Sequence, residues 1–325
     1  MPYPAITERF GSLSATGLIK EASFGVPLTP TTFLPMTGNG MQSDPGWFSP
    51  ALMMATRDKQ VFNLYGEQAN VGAIEGPLFP SNAIELLVAA IGTDAVTGTV
   101  TPYTHTISQA NTLPSLTVEK NIGGFQSLQF AGARVGKFTV KAPVGNEPVS
   151  ISADMVAQSV AILTSPTAVS ITNELPFVFA EASLTLMTHA RADVTNVQLE
   201  IDNGLKSTYT YSGNHGPSFI SPISLKVSGT IDVVWSSLND ATYGDFTTMT
   251  NGTLGALSLA FAHPGVGGFG VTFSCPQVVL SKVAPDVKYE DVVLSTMSFE
   301  SSKPLTGGSQ YSIQAVVLNG VSAAY

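Results

Sequence analysis

Histidine is the side chain best suited to proton transfer near neutrality and to metal binding, and this 325-residue chain has four, His105, His189, His215 and His263. They sit in unrelated contexts, with no HExxH helix and no carboxylate at metal-ligand spacing, so each reads as a structural histidine satisfied where it stands. Serines are plentiful, but no G-x-S-x-G elbow presents one as a nucleophile. Gly265-Val266-Gly267-Gly268 and Gly123-Gly124 look superficially like phosphate cradles. Both lie between apparent strands, with no helix following to aim its N–H groups at an anion, so they read as turns or flexible loops. Asp240 and Asp245 fall on what reads as a solvated helix face, too ordinary for an acid–base pair. The single cysteine, Cys275, excludes an intramolecular disulfide and a multi-cysteine zinc site, and reads as a small buried hydrophobe. Nothing here asks for an active centre, a cofactor or a metal; the expectation is a protein that is not an enzyme.

The elements that would position any site are mostly strands. From Ile223 to Trp235, apolar Ile223, Leu225, Val227, Ile231, Val233 and Trp235 alternate with Ser224, Lys226, Ser228, Thr230 and Asp232, with Gly229 on the apolar side and one break at Val234. At ~3.3 Å per residue such a strand would extend on the order of 40 Å, suiting a tall barrel wall or a sheet shared between subunits. Shorter alternations recur at 116–119, 128–141, 149–155, 197–202, 257–261, 278–283, 293–299 and 311–317. Against them stands one helix signal: Asn82 and Glu85 in capping-box positions, Ile84, Leu87, Val88 and Ile91 along one face, and Gly92 as the stop. A weaker helix is expected from Asp240 to about Thr250, with Phe246 and Met249 as its buried face and Gly244 inside it.

These signals repeat. Gly72-Ala73-Ile74-Glu75 leads to Asn82, and Gly229-Thr230-Ile231-Asp232 leads to Asn239, at the same interval of ten residues. The expectation is a mainly β chain of two tandem β-sandwich or partial-barrel domains, each with one helix, over residues 1–165 and 166–325. Modules of roughly 160 residues are each large enough to bury a core. Thr164-Ser165-Pro166-Thr167 and Asn173-Glu174-Leu175-Pro176 bracket the linker, although Val169 and Ile171 would also suit a strand.

Charged residues make up 11% of the chain and hydrophobic ones 44%, whereas soluble domains carry ~25% charged residues. A chain this poor in charge hides much of its surface against other subunits. The net charge of −9 argues against a protein that grips nucleic acid. It suits either an acidic channel through which a duplex slides without sticking or simply a soluble monomer. Met1-Pro2-Tyr3-Pro4 lacks the basic and apolar regions of a secretion signal, and the longest apolar runs, such as 86–91, are too short to span a bilayer. The expectation is a soluble protein made in the cytoplasm without membrane contact.

Two long segments occupy equivalent places before the glycine-led strands. Residues 38–70 carry Trp47, Phe48, Met53, Met54, Arg57, Asp58, Lys59, Phe62 and Tyr65; residues 203–222 carry Tyr209, Tyr211, His215 and Phe219. Segments so long and so rich in aromatics either dock on a neighbouring subunit or fold back as extra strands over their own module.

Three stretches carry a resemblance: Gly17-Leu18-Ile19-Lys20-Glu21 through Phe24-Gly25-Val26-Pro27 to Thr29-Pro30-Thr31; His105-Thr106-Ile107 through Leu113-Pro114-Ser115-Leu116-Thr117-Val118-Glu119; and Val197-Gln198-Leu199-Glu200-Ile201-Asp202-Asn203-Gly204-Leu205. In both halves the chain resembles the tail tube, or major tail, proteins of long-tailed bacteriophages. The resemblance implies a structural virion protein, made in the host cytoplasm, whose β-sandwich modules join their inner sheets into rings that stack head to tail. Members with a duplicated module form trimeric, pseudo-hexameric rings, which the repeat favours here; the alternative is a hexameric ring of single chains. The partners implied are further copies, a tape measure protein, tail terminator and distal tail proteins, and double-stranded DNA in passage without specific binding. Trp47, Phe48, Met53, Tyr209 and Tyr211 are the expected apolar anchors between subunits or rings, with Arg57 and Lys59 as ion-pair partners, and the N-terminal arm before Phe10 and the tail after Asn319 as further stacking contacts. Glu75, Ser228, Thr230 and Asp232 are the candidate lumen residues, although a polar face equally suits a sheet turned to solvent. A reading from another class is a carbohydrate-binding or adhesive β-sandwich of the virion, using Trp47 with Tyr65 as a sugar platform.

Overall fold

The computed structural model describes residues 10–81, 84–264, 267–289, 292–307 and 310–325. The alternation at 223–235 becomes the strand Lys226–Val234, in which Val227, Ile231 and Val233 are buried and Lys226 is exposed. All the shorter alternations are strands too, the longest being Gln126–Pro143 and Gly270–Asp286. The chain is 52% strand and 8% helix, arranged as large antiparallel sheets without a closed barrel, in keeping with β-sandwich-like domains.

The strand pairings of the first half recur in the second. In the first half, Ala15–Lys20 pairs with Thr32–Leu34 and with Leu116–Ile122, and the latter with Gln126–Pro143. Gln126–Pro143 continues to Ser159–Leu163 and to Ser150–Ala157, then Ser150–Ala157 to Leu64–Pro77, and Leu64–Pro77 to Gln42–Phe48. In the second half, Ala182–Leu186 pairs with His189–Arg191 and with Gly255–Ala262, and the latter with Gly270–Asp286. Gly270–Asp286 continues to Gln314–Asn319 and to Leu294–Ser301, then Leu294–Ser301 to Lys226–Val234, and Lys226–Val234 to Val194–Asp202. Even the irregularities recur: the ladder of Gln126–Pro143 slips between Asp154 and Met155 of its partner, opposite Gly136, and that of Gly270–Asp286 slips at Ser281, between Leu280 and Lys282. Bulges re-aim a strand, so two at matching places bend both long strands alike, from one layer of the sandwich into the other.

The glycines that open the repeat have a common cause. A Cβ at Gly72 would stand 2.4 Å from the carbonyl oxygen of Gly40, and one at Gly229 2.2 Å from that of Gln198. Gly40, in the short break between Gly38–Asn39 and Gln42–Phe48, and Gln198, within Val194–Asp202, flank the two glycines in the same way, so in both halves the neighbouring backbone comes too close for any side chain.

Strand pairing also joins the halves. Lys137–Pro143 pairs with Asn196–Asp202, so the inner sheet runs without a break from Gln42–Phe48 to Gly270–Asp286. On the other layer Gln314–Asn319 pairs with Tyr103–Gln109, which forms a hairpin with Gly92–Thr97 that has no counterpart among the described residues of the second half. One apolar core, from Leu18 and Phe138 to Phe273 and Phe299, spans both halves. The segment bracketed as a linker carries no strand at Val169 or Ile171; it is pinned where Thr167 donates its N–H and hydroxyl to Glu119 and Glu174 accepts from the Ser81 N–H.

The helices differ most from expectation. In the first, Ile84–Ile91, every residue is buried, Glu85 included; the expected cap at Asn82 lies outside the described residues. The second is shorter and broken: a π-type turn over Asn239–Tyr243, a left-handed Gly244, then Asp245–Thr250. Asn239 opens the π-type turn and is itself a buried hydrogen-bonding residue, while Phe246 is exposed rather than part of the buried face, leaving Met249 to pack on the core.

Candidate assembly surfaces

Residues facing each other across antiparallel strands share a face, so the register fixes which side chains lie together on the inner sheet. Away from the core, one polar face crosses both halves. Ala73, Asp154, Lys137, Asp202 and Lys226 stand in one row across five adjacent strands, alternating in charge from Asp154 onward. Glu75, Ser152, Thr139, Glu200, Ser228 and Glu300 form the next row. Lys137 bridges the rows with an ion pair to Glu200 of 2.9 Å, which holds its ammonium above the usual lysine range. Glu75, Ser228, Thr230 and Asp232 are therefore on one continuous face. Asp232 is held by the Thr296 hydroxyl at 2.6 Å and the Asn196 amide at 3.0 Å. A groove of about 290 Å³ lined by Glu75, Thr139, Lys141 and Ser152 lies on this face and gathers no set of groups suited to catalysis.

The two lateral ends of the sheet are unlike its middle. At one end, Gly38–Asn39 and Gln42–Phe48 form the outer strand, with Gln42 and Asp44 exposed. There the Met41 N–H donates to the Asn39 side chain and the Met41 carbonyl accepts from Lys120, side chains taking the place of a ladder. At the other end, 281–286 lies beyond the last residues paired with Gly255–Ala262, and the Val283 N–H is met by the thioether of Met249, a weak acceptor. A thioether in place of a carbonyl leaves the Val283 N–H only weakly satisfied on this edge.

The two long segments both fold back and leave exposed tips. The first is a hairpin whose strands pair Trp47 with Tyr65 and Phe48 with Leu64. The second is the hairpin of Leu205–Thr208 and Phe219–Pro222. They meet in a stack of Trp47 on Tyr65 (5.2 Å between centroids) and Tyr65 on His215 (3.9 Å). His215 also hydrogen-bonds the Gly66 carbonyl through Nδ1 at 2.8 Å, and the Gln68 N–H donates to the His215 carbonyl. Tyr209 is half-buried against Glu67 and Gln68, and its phenol is pushed up by burial and by that carboxylate. Trp47, Phe48, Met53 and Tyr211 are exposed, Met53 and Tyr211 fully, and Leu52, Met54, Phe62 and Leu64 extend the apolar tip. Arg57 and Lys59 sit exposed on the same tip. The N-terminal arm before Phe10 lies outside the described residues. The tail after Asn319 is tied to its own chain: the Val321 carbonyl meets His105 Nε2, and the Tyr325 N–H donates to Asp94.

Ionisable groups that resemble chemistry are structural. His105 lies between Asp94 (2.8 Å) and the Val321 carbonyl, and His263 between Glu181 (2.7 Å) and the Leu175 carbonyl while stacked on Phe177. Asp245 is buried rather than solvated: with Asp193 it receives Arg191, whose guanidinium also lies 4.0 Å over Tyr243, and Asn239 donates to both carboxylates. The side chain of Asp240 lies outside the described residues. Cys275 is buried, and burial pushes its thiol up to about 12, which removes it as a nucleophile. Gly123, Gly124, Gly267 and Gly268 take positive φ in turns, as expected, and Gly265 and Val266 lie outside the described residues. Among the described residues no group of three or more His, Cys, Asp or Glu is placed to hold a metal, and no helix is long and apolar enough to cross a membrane.

Sequence reasoning missed the Arg191 cluster and the edge residues Asp44 and Lys282.

A sheet with unfinished ends, a polar face crossing two like halves and an exposed apolar tip describes a structural β protein made to join with others. Residues 11–319 match the family model described as phage tail tube protein, and the chain belongs to that family. No curated protein matches it. Family membership makes it a structural component of the virion tail that assembles into a multimeric tube.

Proposed function

We propose that three copies of this chain, each a duplicated module divided near residue 165, close into a ring of six modules, and that the rings stack head to tail as the conduit through which the genome leaves the capsid. The observation that carries this reading is the junction between Lys137–Pro143 and Asn196–Asp202, which already joins two like modules edge to edge into one sheet. Three such pairs closing on themselves leave no edge exposed. The polar face, with Glu75, Ser228, Thr230 and Asp232, lines the lumen. Its carboxylates outnumber its lysines, so it repels a duplex rather than holding it. The hairpin tip with Trp47, Phe48, Met53, Arg57 and Lys59, together with Tyr209 and Tyr211, contacts the neighbouring ring. Because a head-to-tail contact does not close, terminator and distal tail proteins cap the ends and a tape measure protein inside sets the length.

Electron microscopy of the purified protein tests this. Rings or tubes are expected, and Met53→Ser with Trp47→Ser should leave rings that fail to stack. Discrete particles at every concentration would contradict it. The exposed Trp47–Tyr65 stack also fits an adhesive sandwich that binds glycans, and discrete particles with glycan-dependent quenching of tryptophan fluorescence would favour that function instead.

A further inference from the structure

The junction inside the chain is a template for the one between chains. Strands that match through both pairing order and bulge position can be superposed residue for residue: Lys137 on Lys282, Phe138 on Val283 and Thr139 on Ala284, with their cross-strand partners Asp154, Ala153 and Ser152 falling on Ser298, Met297 and Thr296. On the other side of the junction, Asn196 and Glu200 match Gly38 and Gln42, because they stand opposite Asp232 and Ser228 as Gly38 and Gln42 stand opposite Glu75 and Val71. Asp202 then matches Asp44, an acid again, and Leu199 matches Met41; both Leu199 and Met41 are buried.

Carrying the internal register across these matches, we infer that the edge at 282–286 of one subunit pairs antiparallel with the edge at 40–44 of the next. Lys282 stands opposite Asp44, Val283 opposite Ser43 and Ala284 opposite Gln42. The Lys282–Asp44 pair repeats Lys137 opposite Asp202 within the chain. This inference rests on the ring reading above and adds to it which edges meet and in what register.

Three observations support it independently of the template. The charges are complementary and lie on the same polar face, at the two extreme strands of one sheet. Val283 turns its N–H to the open side, where among the described residues it is met by the Met249 thioether, so a backbone carbonyl from Ser43 would be a stronger acceptor. Pro285 follows at the same parity as Val283, so its missing N–H costs the ladder to Leu294–Ser301 nothing and shortens the row of donors that stray partners could use.

Residues opposite each other on antiparallel strands come within disulfide range. The test is therefore the doubly substituted full chain Asp44→Cys with Lys282→Cys, assembled, mildly oxidised and run on a non-reducing denaturing gel; the native Cys275 is buried. Covalently closed trimers are expected, with far less product from Asp44→Cys paired with Asp286→Cys. Rings seen by microscopy that cross-link only through the second pair, or through neither, would overturn the register while leaving the ring reading intact. Failure of the unmodified chain to form rings would overturn both. As a separate measurement, Asp44→Lys should lose at least tenfold in ring formation at low salt and regain most of it when combined with Lys282→Asp; no loss, or no rescue, would overturn the pairing.

Discussion

The two long strands, Gln126–Pro143 and Gly270–Asp286, have the same bulges and the same neighbours in order, yet one is finished and the other is not. The first has its far edge covered by Val194–Asp202, and the residues at that junction, Phe138 and Val140, are fully buried. The second ends with Pro285 and Asp286 exposed and a sulfur atom standing in for a ladder. The helices above them follow the same contrast. In the first half a fully buried helix is tied to the strand Thr32–Leu34 by one hydroxyl, Thr32 to Glu85 at 2.5 Å; in the second a short exposed helix is tied to His189–Arg191 by a two-pronged guanidinium. Apolar burial fixes the first helix. The second buries too little to be held that way, and an ion cluster fixes it instead.

That difference predicts an order of sensitivity. Arg191→Ala leaves Asp193 and Asp245 buried without their cation and should cost about 3–5 kcal/mol in chemical denaturation. Thr32→Val, at the corresponding link of the first half, should cost about 0.5–1.5 kcal/mol. Equal costs would show that the halves are anchored alike.

Glu85 gives a sharper contrast. Burial, outweighing the Thr32 hydrogen bond and the nearby Lys20, holds its carboxyl up at about 7 from an ordinary 4.5. Between those values the folded chain keeps a proton that the unfolded chain has lost, so this group leaves stability whole below pH 4.5, erodes it as the pH rises to about 7, and changes nothing further above. Glu85→Gln should gain on the order of 1–3 kcal/mol over the wild type between pH 4.5 and 7.5, measured as the difference of two pH–stability profiles. Parallel profiles would remove the buried ionisation from the account.

The smallest effect belongs to Lys137→Ala, which removes a part-exposed ion pair at the internal junction and should cost about 0.2–1 kcal/mol. A large loss there would mean that charge rather than the buried Phe138 and Val140 holds the halves together.

The sequence made the strands legible wherever one face is buried, because alternation follows from a half-buried sheet: 128–141 and 278–283 fall inside the two long strands. It did not show Gly92–Thr97 or Tyr103–Gln109, whose residues are largely polar: only Ile107 adds to the apolar core, and the other buried side chain of the second strand, His105, is satisfied by hydrogen bonds instead of apolar contact. The repeated glycines were visible and their reason, a close backbone approach, was not. Asp245 was misread, and the hydrogen bonds of Asn239 were not visible, because helical spacing says nothing of a cation arriving from residue 191, far away in sequence. The edges of the sheet were hidden for the same reason: an edge is defined by which strand is missing, and only the pairing order reveals it.

The measurement that tests the central claim most directly is a cryo-electron microscopy reconstruction of the assembled tube. Three chains per ring, with Glu75 and Asp232 at equivalent heights on the inner wall and the edge at 282–286 against 40–44 of the next chain, is the expected result. Six chains per ring, or Glu75 and Asp232 on the outer wall, would contradict it.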